Sequence, residues 1–349
     1  MSKRINIDGR DIGNSFAPYI IAEMSANHNG CCNAALRIIE EAKRANADAV
    51  KIQTYRPDTI TLKSDLPDFQ ISNGLWSGKT LYELYEWAHT PWSWHKPLFE
   101  YARKIGITIF SSPFDITAVD LLEDLNTPAY KIASFEAVDL PLIKYVASTG
   151  KPMIISTGMA NVEEIQEAID AAHAGGCKEL AILHCVSGYP APPEDYNLRT
   201  IPDMIRRFGL VTGLSDHTLD NTTAIASVAL GASIIEKHFT LDRKGGGPDD
   251  SFSLEPSELT ALCHGARATW EALGGINYCR KTSELQNVRF RRSLYFVRNL
   301  NAGDVITADA IRSVRPGFGL PPKHLMALIG RRVKANVSTA TPVSWDLLE

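Results

Sequence analysis

The sequence lacks the features of several specialised protein classes. Its 349 residues include only six cysteines, which argues against a disulfide framework. The adjacent thiols Cys31 and Cys32 could hold a soft metal, but no second cysteine or histidine pair stands at zinc spacing, so we treat all six cysteines as structural. The formal charge of −4 leaves no broad basic field, and nucleic acid is not an expected partner.

Long hydrophobic runs are also missing. No uninterrupted apolar stretch reaches the roughly 18 residues of a membrane span, and residues 1–10 are too polar for a signal peptide. We therefore expect a cytoplasmic protein with no membrane partner. Hydrophobic residues make up 44% of the chain and charged residues 22%, which is ordinary for a globular protein.

Eight short β-branched runs alternate with amphipathic helical stretches between residues 18 and 274. The runs are 19–26, 49–54, 107–112, 129–134, 152–157, 180–187, 210–216 and 234–240. Helical periodicity is clear at 34–45, 162–174 and 257–273. Eight such units match the usual size of a closed (β/α)8 TIM barrel, about 250 residues. A doubly wound sheet is the alternative, but no G-x-G-x-x-G turn follows the first run. The predicted fold class is α/β, with a barrel domain over residues 1–275.

Two segments depart from this rhythm. Residues 55–91 form a long insertion, rich in proline, aspartate and aromatic residues, that can act as a lid or simply add packing surface. Beyond the barrel, 276–288 is predicted to be a linker, and 289–349 carries β-type runs at 293–298 and 332–337. Because a domain of about 60 residues buries only a small core by itself, we expect this small domain to pack against another surface.

Polar side chains gather at the carboxyl ends of the runs, where barrels carry their catalytic groups. Lys51 and Lys131 lie within otherwise apolar runs, where an unpaired ammonium is costly. Small hydroxyl donors stand at five strand ends: Ser112, Ser134, Ser156, Ser187 and Ser215. Together they predict a cradle for phosphate and carboxylate groups. Structural ion pairs of the lysines with Glu23 or Glu136 are the alternative.

Two histidines stand at equivalent places on the seventh and eighth runs, which are neighbours in a closed barrel. His217 and His238 can therefore converge on one divalent ion, with Asp216, Glu236 and Asp249 near enough to orient them. Too few fixed ligands are present for a closed structural zinc site. An open site could polarise an aldehyde or activate a water. Core histidines with satisfied hydrogen bonds are the alternative.

The residues favour addition chemistry over hydrolysis. No G-x-S-x-G nucleophile elbow is present. Lys131 could form a Schiff base, as lysine aldolases do on this fold. Its neighbour Ser134 and the second lysine favour an anion cradle instead.

The strand-end motifs resemble the sialic acid synthase family over nearly the whole chain. They are Ala22-Glu-x-x-x-Asn-His-Asn-Gly30, Val50-Lys-x-Gln-Thr54, Lys131-Ile-x-Ser134, Ser156-Thr-Gly-Met159, Gly213-x-Ser-Asp-His-Thr218, Glu236-Lys-His-Phe-Thr-Leu-Asp-Arg243, Gly247-Pro-Asp249 and Ser253-Leu-Glu-Pro256. The segment from Arg315 to Pro322 is similar to the signature loop of the family's carboxy-terminal antifreeze-like domain (SAF, β-clip). The resemblance implies an enzyme that joins phosphoenolpyruvate to an N-acylated amino sugar.

By position, the resemblance also implies roles for individual residues. The lysines and the five serines would hold phosphoenolpyruvate, and the two histidines a manganese, magnesium or cobalt ion. The implied catalytic residues are Glu23, Glu236 and Lys131, and the implied sugar contacts are Gln53, Glu136, Tyr189, Asp249 and Arg315. Glu23 could equally orient the metal-bound water. A homodimer is expected in which the small domain of one chain caps the barrel of the other and places Arg315 over the partner's sugar site.

Two departures from the neuraminic pattern favour a more apolar sugar. Phe135 stands where many members have glycine, and Met24-Ser-Ala replaces a glycine-containing segment. With the aromatic insertion, these resemble the pseudaminic acid branch, whose substrate is 2,4-diacetamido-2,4,6-trideoxy-L-altrose. The alternatives are an N-acetylneuraminate or legionaminate synthase using an N-acetylmannosamine-type sugar, a 3-deoxy-heptulosonate-type synthase, and a non-enzymatic sugar- or ice-binding protein.

Overall fold

The computed structural model describes residues 4–349, which divide into two compact units between Gly274 and Gly275. The first unit opens with a hairpin that the sequence analysis did not predict. Its strands, β1 (Ile5–Ile7) and β2 (Arg10–Ile12), pair antiparallel. Their isoleucines share a buried cluster with Phe110 and Leu183 of the barrel interior. Three-residue strands carry too little alternation to be recognised from sequence.

Eight parallel strands close into a barrel, as predicted. They are β3 (Tyr19–Glu23), β4 (Ala49–Thr54), β5 (Thr108–Pro113), β6 (Tyr130–Ile132), β7 (Met153–Ser156), β8 (Leu180–Cys185), β9 (Val211–Asp216) and β10 (Ile234–His238). The register of β10 on β3 runs from Ile234 opposite Tyr19 to His238 opposite Glu23. The strands are buried on both faces, which is why they read as continuous apolar runs.

Helices surround the barrel and cover its outer face. The longer ones are α1 (Cys32–Arg44), α4 (Trp92–Ile105), α5 (Ile116–Asp124), α6 (Leu140–Ser148), α7 (Val162–Ala174), α8 (Thr200–Phe208), α9 (Thr222–Ala229) and α10 (Pro256–Leu273). Local signals set their starts: Asn161 and Glu164 form a capping box on α7, and Asp115 caps α5. The insertion contains α2 (Pro57–Ile60) and α3 (Leu81–Ala88). No helix within residues 4–349 is long and apolar enough to cross a membrane.

The second unit has its own small core. Its antiparallel strands are β11 (Ser293–Phe296) and β12 (Ile311–Val314), followed by the one-turn helix α11 (Leu325–Leu328). The β-type run predicted at 332–337 is not a continuous strand, because its residues make single bridges to separate segments. The stretch predicted to be a linker contains most of a 3-10 helix, Thr282–Phe290.

Candidate active site

Four buried charges meet at the carboxyl end of the barrel. Lys51 Nζ lies 2.8 Å from Glu23 Oε2 and 3.7 Å from Glu236 Oε1. Lys131 Nζ lies 3.4 Å from the same Glu236 oxygen. Both lysines therefore have carboxylate partners, as the ion-pair alternative anticipated, although Glu136 is not one of them. An arriving anion would compete with these carboxylates for two fixed ammonium groups.

The pKa values of Glu23 and Glu236 are shifted in opposite directions. Burial raises the pKa of Glu23; the Lys51 ammonium offsets this only in part, and the nearby charge of Glu236 adds to the rise. Burial also acts on Glu236, but there Lys131 and Lys51 outweigh it and lower the pKa. Neighbouring carboxyl groups with diverging pKa values are typical of sites that divide acid and base roles.

Two of the five predicted serines contact this charge cluster. Lys51 Nζ donates to Ser112 Oγ at 3.2 Å, and Ser215 Oγ donates to Glu236 Oε1 at 3.3 Å. Ser156 Oγ is buried without a hydrogen-bond partner. The other two converge on one glycine, since a Cβ at Gly158 would lie 2.2 Å from Ser187 Oγ and 2.8 Å from Ser134 Oγ. Only glycine lets both hydroxyls approach the backbone here.

Ser25 lies in this site, although the sequence analysis did not predict it. Ser25 has a φ of 44°, which is uncommon for a residue other than glycine and often marks a functional position. Its hydroxyl donates to Asp249 Oδ2 at 2.5 Å and accepts from Gln53 Nε2 at 3.0 Å. Gln53 also donates to Glu23 Oε1 at 2.9 Å. The sequence signal for Ser25 was the Met24-Ser-Ala segment, which stands where the neuraminic pattern contains glycine.

The other predicted sugar contacts are distributed unevenly. The Tyr189 ring centroid lies 4.5 Å from that of His217, inside the site. Glu136 has a buried carboxylate oxygen without a hydrogen-bond partner, and burial raises its pKa to about 7. Phe135 is 57% exposed. Arg315 lies in the second unit and is not among the residues that the barrel brings together.

His217 and His238 lie side by side, with ring centroids 5.3 Å apart. His217 Nδ1 is 2.8 Å from the Val186 carbonyl oxygen, which can only accept, so in the neutral ring Nε2 carries the lone pair. His238 Nδ1 is buried, has no hydrogen-bond partner, and lies 3.8 Å from Asp249 Oδ2. Burial, reinforced by His217 and nearby lysines, holds the pKa of His238 well below its usual value. Burial acts to lower the pKa of His217, but its hydrogen bonds with Cys185 and the Val186 carbonyl outweigh burial and raise it. The unpartnered nitrogen of His238 is suited to a divalent ion, and His217 is placed to join it in its neutral form.

No group of three or more histidine, cysteine, aspartate or glutamate residues in the described part of the chain is arranged to hold a metal. The two histidines could therefore hold an ion only with positions left open. Asp216, expected near the histidines, instead accepts from Lys237 Nζ at 3.0 Å. The same ammonium donates to the carbonyl oxygens of Thr218 and Asp220 at 2.8 and 2.6 Å. This network fixes the backbone that carries His217.

Cys185 also belongs to the site, although the sequence analysis treated it as structural. Burial raises the pKa of its thiol, but a hydrogen bond with His217 and the nearby Lys131 ammonium outweigh burial and lower it. The remaining cysteines are free as well, and Cys31, Cys32 and Cys279 are wholly or partly exposed.

Comparisons with known proteins identify the family of both units. The NeuB family model matches residues 38–278, and the SAF domain model matches residues 291–349. The chain is 42% identical to the pseudaminic acid synthase of Campylobacter jejuni subsp. jejuni serotype O:23/36 (strain 81-176), over 91% of this chain and 93% of that protein. It is 41% identical to the pseudaminic acid synthase of Helicobacter pylori (strain ATCC 700392 / 26695), over 95% of this chain and 98% of that protein.

A solved structure shows the same architecture. The N-acetylneuraminic acid synthetase of Leptospira borgpetersenii serovar Hardjo-bovis, in complex with citrate, superimposes with a TM-score of 0.73 at 31% identity and covers 83% of this chain and 97% of its own. The chain therefore belongs to the NeuB family and is an enzyme of the phosphoenolpyruvate-dependent sialic acid synthase type, with a barrel followed by a SAF domain.

Proposed function

We propose that this enzyme condenses phosphoenolpyruvate with 2,4-diacetamido-2,4,6-trideoxy-L-altrose and water to give pseudaminic acid and phosphate. The observation that carries the proposal is the buried cluster of Lys51 and Lys131 with Glu23 and Glu236, which is hydrogen-bonded to the hydroxyls of Ser112 and Ser215. Sequence identity of about 42% to pseudaminic acid synthases supports the choice of sugar. That degree of similarity, over nine tenths of the chain, also favours this sugar over an N-acetylmannosamine-type substrate.

The chain's own groups account for binding and proton transfer. Phosphoenolpyruvate carries a carboxylate and a phosphate, and Lys51 and Lys131 would neutralise them together with the serine hydroxyls. The enol carbon attacks the sugar aldehyde, water adds at the phosphate-bearing carbon, and phosphate leaves from the tetrahedral intermediate. Glu23, whose raised pKa makes its proton available, is the proposed acid–base group, and the ionised Glu236 keeps the lysines in place.

A divalent ion, manganese, magnesium or cobalt, is proposed to bind between His217 and His238. The residues fit such an ion because His238 Nδ1 is an unpartnered buried nitrogen and the His217 ring centroid lies 5.3 Å from that of His238. Such an ion supplies Lewis acidity toward an aldehyde or a water. Tyr189, packed 4.5 Å from His217, would limit access of bulk water.

The sugar assignment predicts a preference between two substrates. We expect kcat/KM to be at least about tenfold higher for 2,4-diacetamido-2,4,6-trideoxy-L-altrose than for N-acetylmannosamine, since a site that lacks partners for a hydroxyl discriminates against it. Phosphate release from phosphoenolpyruvate measures both. A preference for N-acetylmannosamine would assign the enzyme to the neuraminic branch. Phosphate release with a phosphorylated aldose alone would support the heptulosonate-type alternative.

We also propose a homodimer in which the SAF domain of one chain caps the barrel of the other. Two apolar side chains at the start of the second unit, Ile276 and Tyr278, are 96% and 98% exposed, as expected for surface that a partner covers. The small size of the domain also favours association. Arg315 would then donate to an acetamido carbonyl of the sugar in the partner's barrel.

Mixing two inactive variants tests this arrangement. Arg315→Ala damages only the cap and Lys131→Ala only the barrel, so a heterodimer has one intact site. We expect a reassociated equimolar mixture to regain about a quarter of wild-type activity, since half of the dimers are mixed and each has one working site. Inactive mixtures of folded parents, with heterodimers verified by differently tagged chains, would contradict the shared site.

A further inference from the structure

The tip of the 55–91 insertion is an ordered turn. Gln70 and Thr80 form an antiparallel bridge, and the backbone of Ile71 exchanges hydrogen bonds with Lys79 and Gly78 at 2.9 Å each. Most side chains between 72 and 78 are exposed, while Trp76 is half-buried. The tip therefore presents one aromatic side chain to another part of the molecule.

Trp76 contacts the mouth of the barrel. Its Nε1 donates to the carbonyl oxygen of Pro248 at 2.9 Å, which joins residues 172 positions apart in sequence. Its ring centroid lies 5.8 Å from that of Tyr189. Tyr189 in turn packs 4.5 Å from His217 and 6.2 Å from His238. The indole is thus the outermost member of an aromatic stack that begins at the two histidines.

These contacts place Trp76 at the sugar end of the site. Pro248 directly precedes Asp249, and both Asp249 and Tyr189 are proposed sugar contacts. The residues proposed to hold phosphoenolpyruvate instead surround Lys51 and Lys131 deeper in the barrel. Within residues 4–349, the hydrogen bond of Trp76 goes to Pro248 and its aromatic contact is with Tyr189, and neither of these residues belongs to that cradle.

We propose that Trp76 is a specificity-determining residue that covers the sugar and packs its indole against the apolar, deoxygenated part of it. This inference rests on the proposed function. Because Pro248 already accepts from Nε1, the indole offers a neighbouring ligand only apolar surface. A methyl group gains from such contact, whereas a hydroxyl at the same carbon would lose its hydrogen bonds with water.

Substitutions at position 76 test the role, with Trp87 as the matched control. Trp87 belongs to the same insertion but packs under Lys79 Nζ, 5.1 Å from its ring centroid, rather than at the barrel mouth. We expect Trp76→Ala to raise KM for 2,4-diacetamido-2,4,6-trideoxy-L-altrose by about tenfold and to reduce its preference over a 6-hydroxy analogue by a similar factor. KM for phosphoenolpyruvate should change by less than about twofold, because its cradle is untouched. Trp76→Phe, which keeps an apolar ring, should retain most of the preference, and Trp87→Ala should match the wild type.

The outcomes separate this inference from the proposed function. If the wild type turns over the deoxy sugar and Trp76→Ala shows the same sugar KM and preference as Trp87→Ala, the inference is wrong and the proposed function stands. A fall in kcat with every sugar and no change in preference would mean that Trp76 only stabilises the loop. If the wild type releases no phosphate with any amino sugar, the proposed function fails and the inference fails with it.

Discussion

Replacement of Lys131 by alanine is expected to lower kcat/KM for phosphoenolpyruvate by about 1,000-fold, the scale at which a fixed electrostatic group in a water-excluded site contributes. Lys131 is 2% exposed, and its ammonium lies 3.4 Å from Glu236 Oε1. Its removal deletes one of two cations available to the substrate anion. Steady-state phosphate release measures the loss, and Lys144→Ala, an exposed lysine on α6, is the control.

The Lys131 variant needs a test of folding, because loss of one partner from a buried ion pair can cost about 3–5 kcal/mol. A Lys131→Met, Glu236→Gln double variant removes both charges and should melt closer to the wild type while remaining inactive. Restored activity in the double variant would contradict the cradle. Borohydride trapping of a substrate adduct on Lys131, read by mass spectrometry, would instead support the Schiff-base alternative.

Removal of divalent metal is expected to reduce turnover to background, with recovery when manganese, magnesium or cobalt is added back. The reason is that the imidazoles of His217 and His238 lie side by side, with ring centroids 5.3 Å apart, and His238 Nδ1 has no hydrogen-bond partner. His217→Ala should lose bound metal and activity together while its circular dichroism spectrum stays that of the wild type. Metal content by atomic absorption gives a readout that does not depend on activity.

A matched control for the metal prediction is His264→Ala, because His264 is an exposed histidine on α10 away from the barrel interior. It should keep full metal content and full turnover. Wild-type activity of stripped enzyme in excess chelator would show that the histidines serve another purpose. Retention of metal by the His217→Ala variant would show that other residues bind the metal.

Several elements were predicted from sequence with little error. The strand Ala49–Thr54 and the helix Val162–Ala174 have the predicted limits, because a continuous apolar run and a capped amphipathic pattern are strong local signals. The strand at 129–134 is shorter than predicted, since Ser134 begins a 3-10 turn. The strand β12 was missed because its burial alternates weakly and its pairing partner, β11, lies about 20 residues earlier in the chain.

Sequence by itself determined the architecture and the set of polar residues that reach the barrel mouth. Parallel strands place their carboxyl ends at one rim, so any polar residue there becomes a neighbour of the others once the barrel closes. The predicted lysines, serines and histidines follow from this rule. No knowledge of distances was required.

Only the tertiary structure decided which of these groups meet. Lys51 pairs with Glu23 rather than Glu136, Ser25 links Gln53 to Asp249 from 224 residues away, and Trp76 reaches the loop at Pro248. Such pairings depend on barrel register, on a positive φ at one serine and on the path of a long insertion. These are properties of the folded chain as a whole, and a local sequence pattern does not encode the distance between side chains that loops bring together.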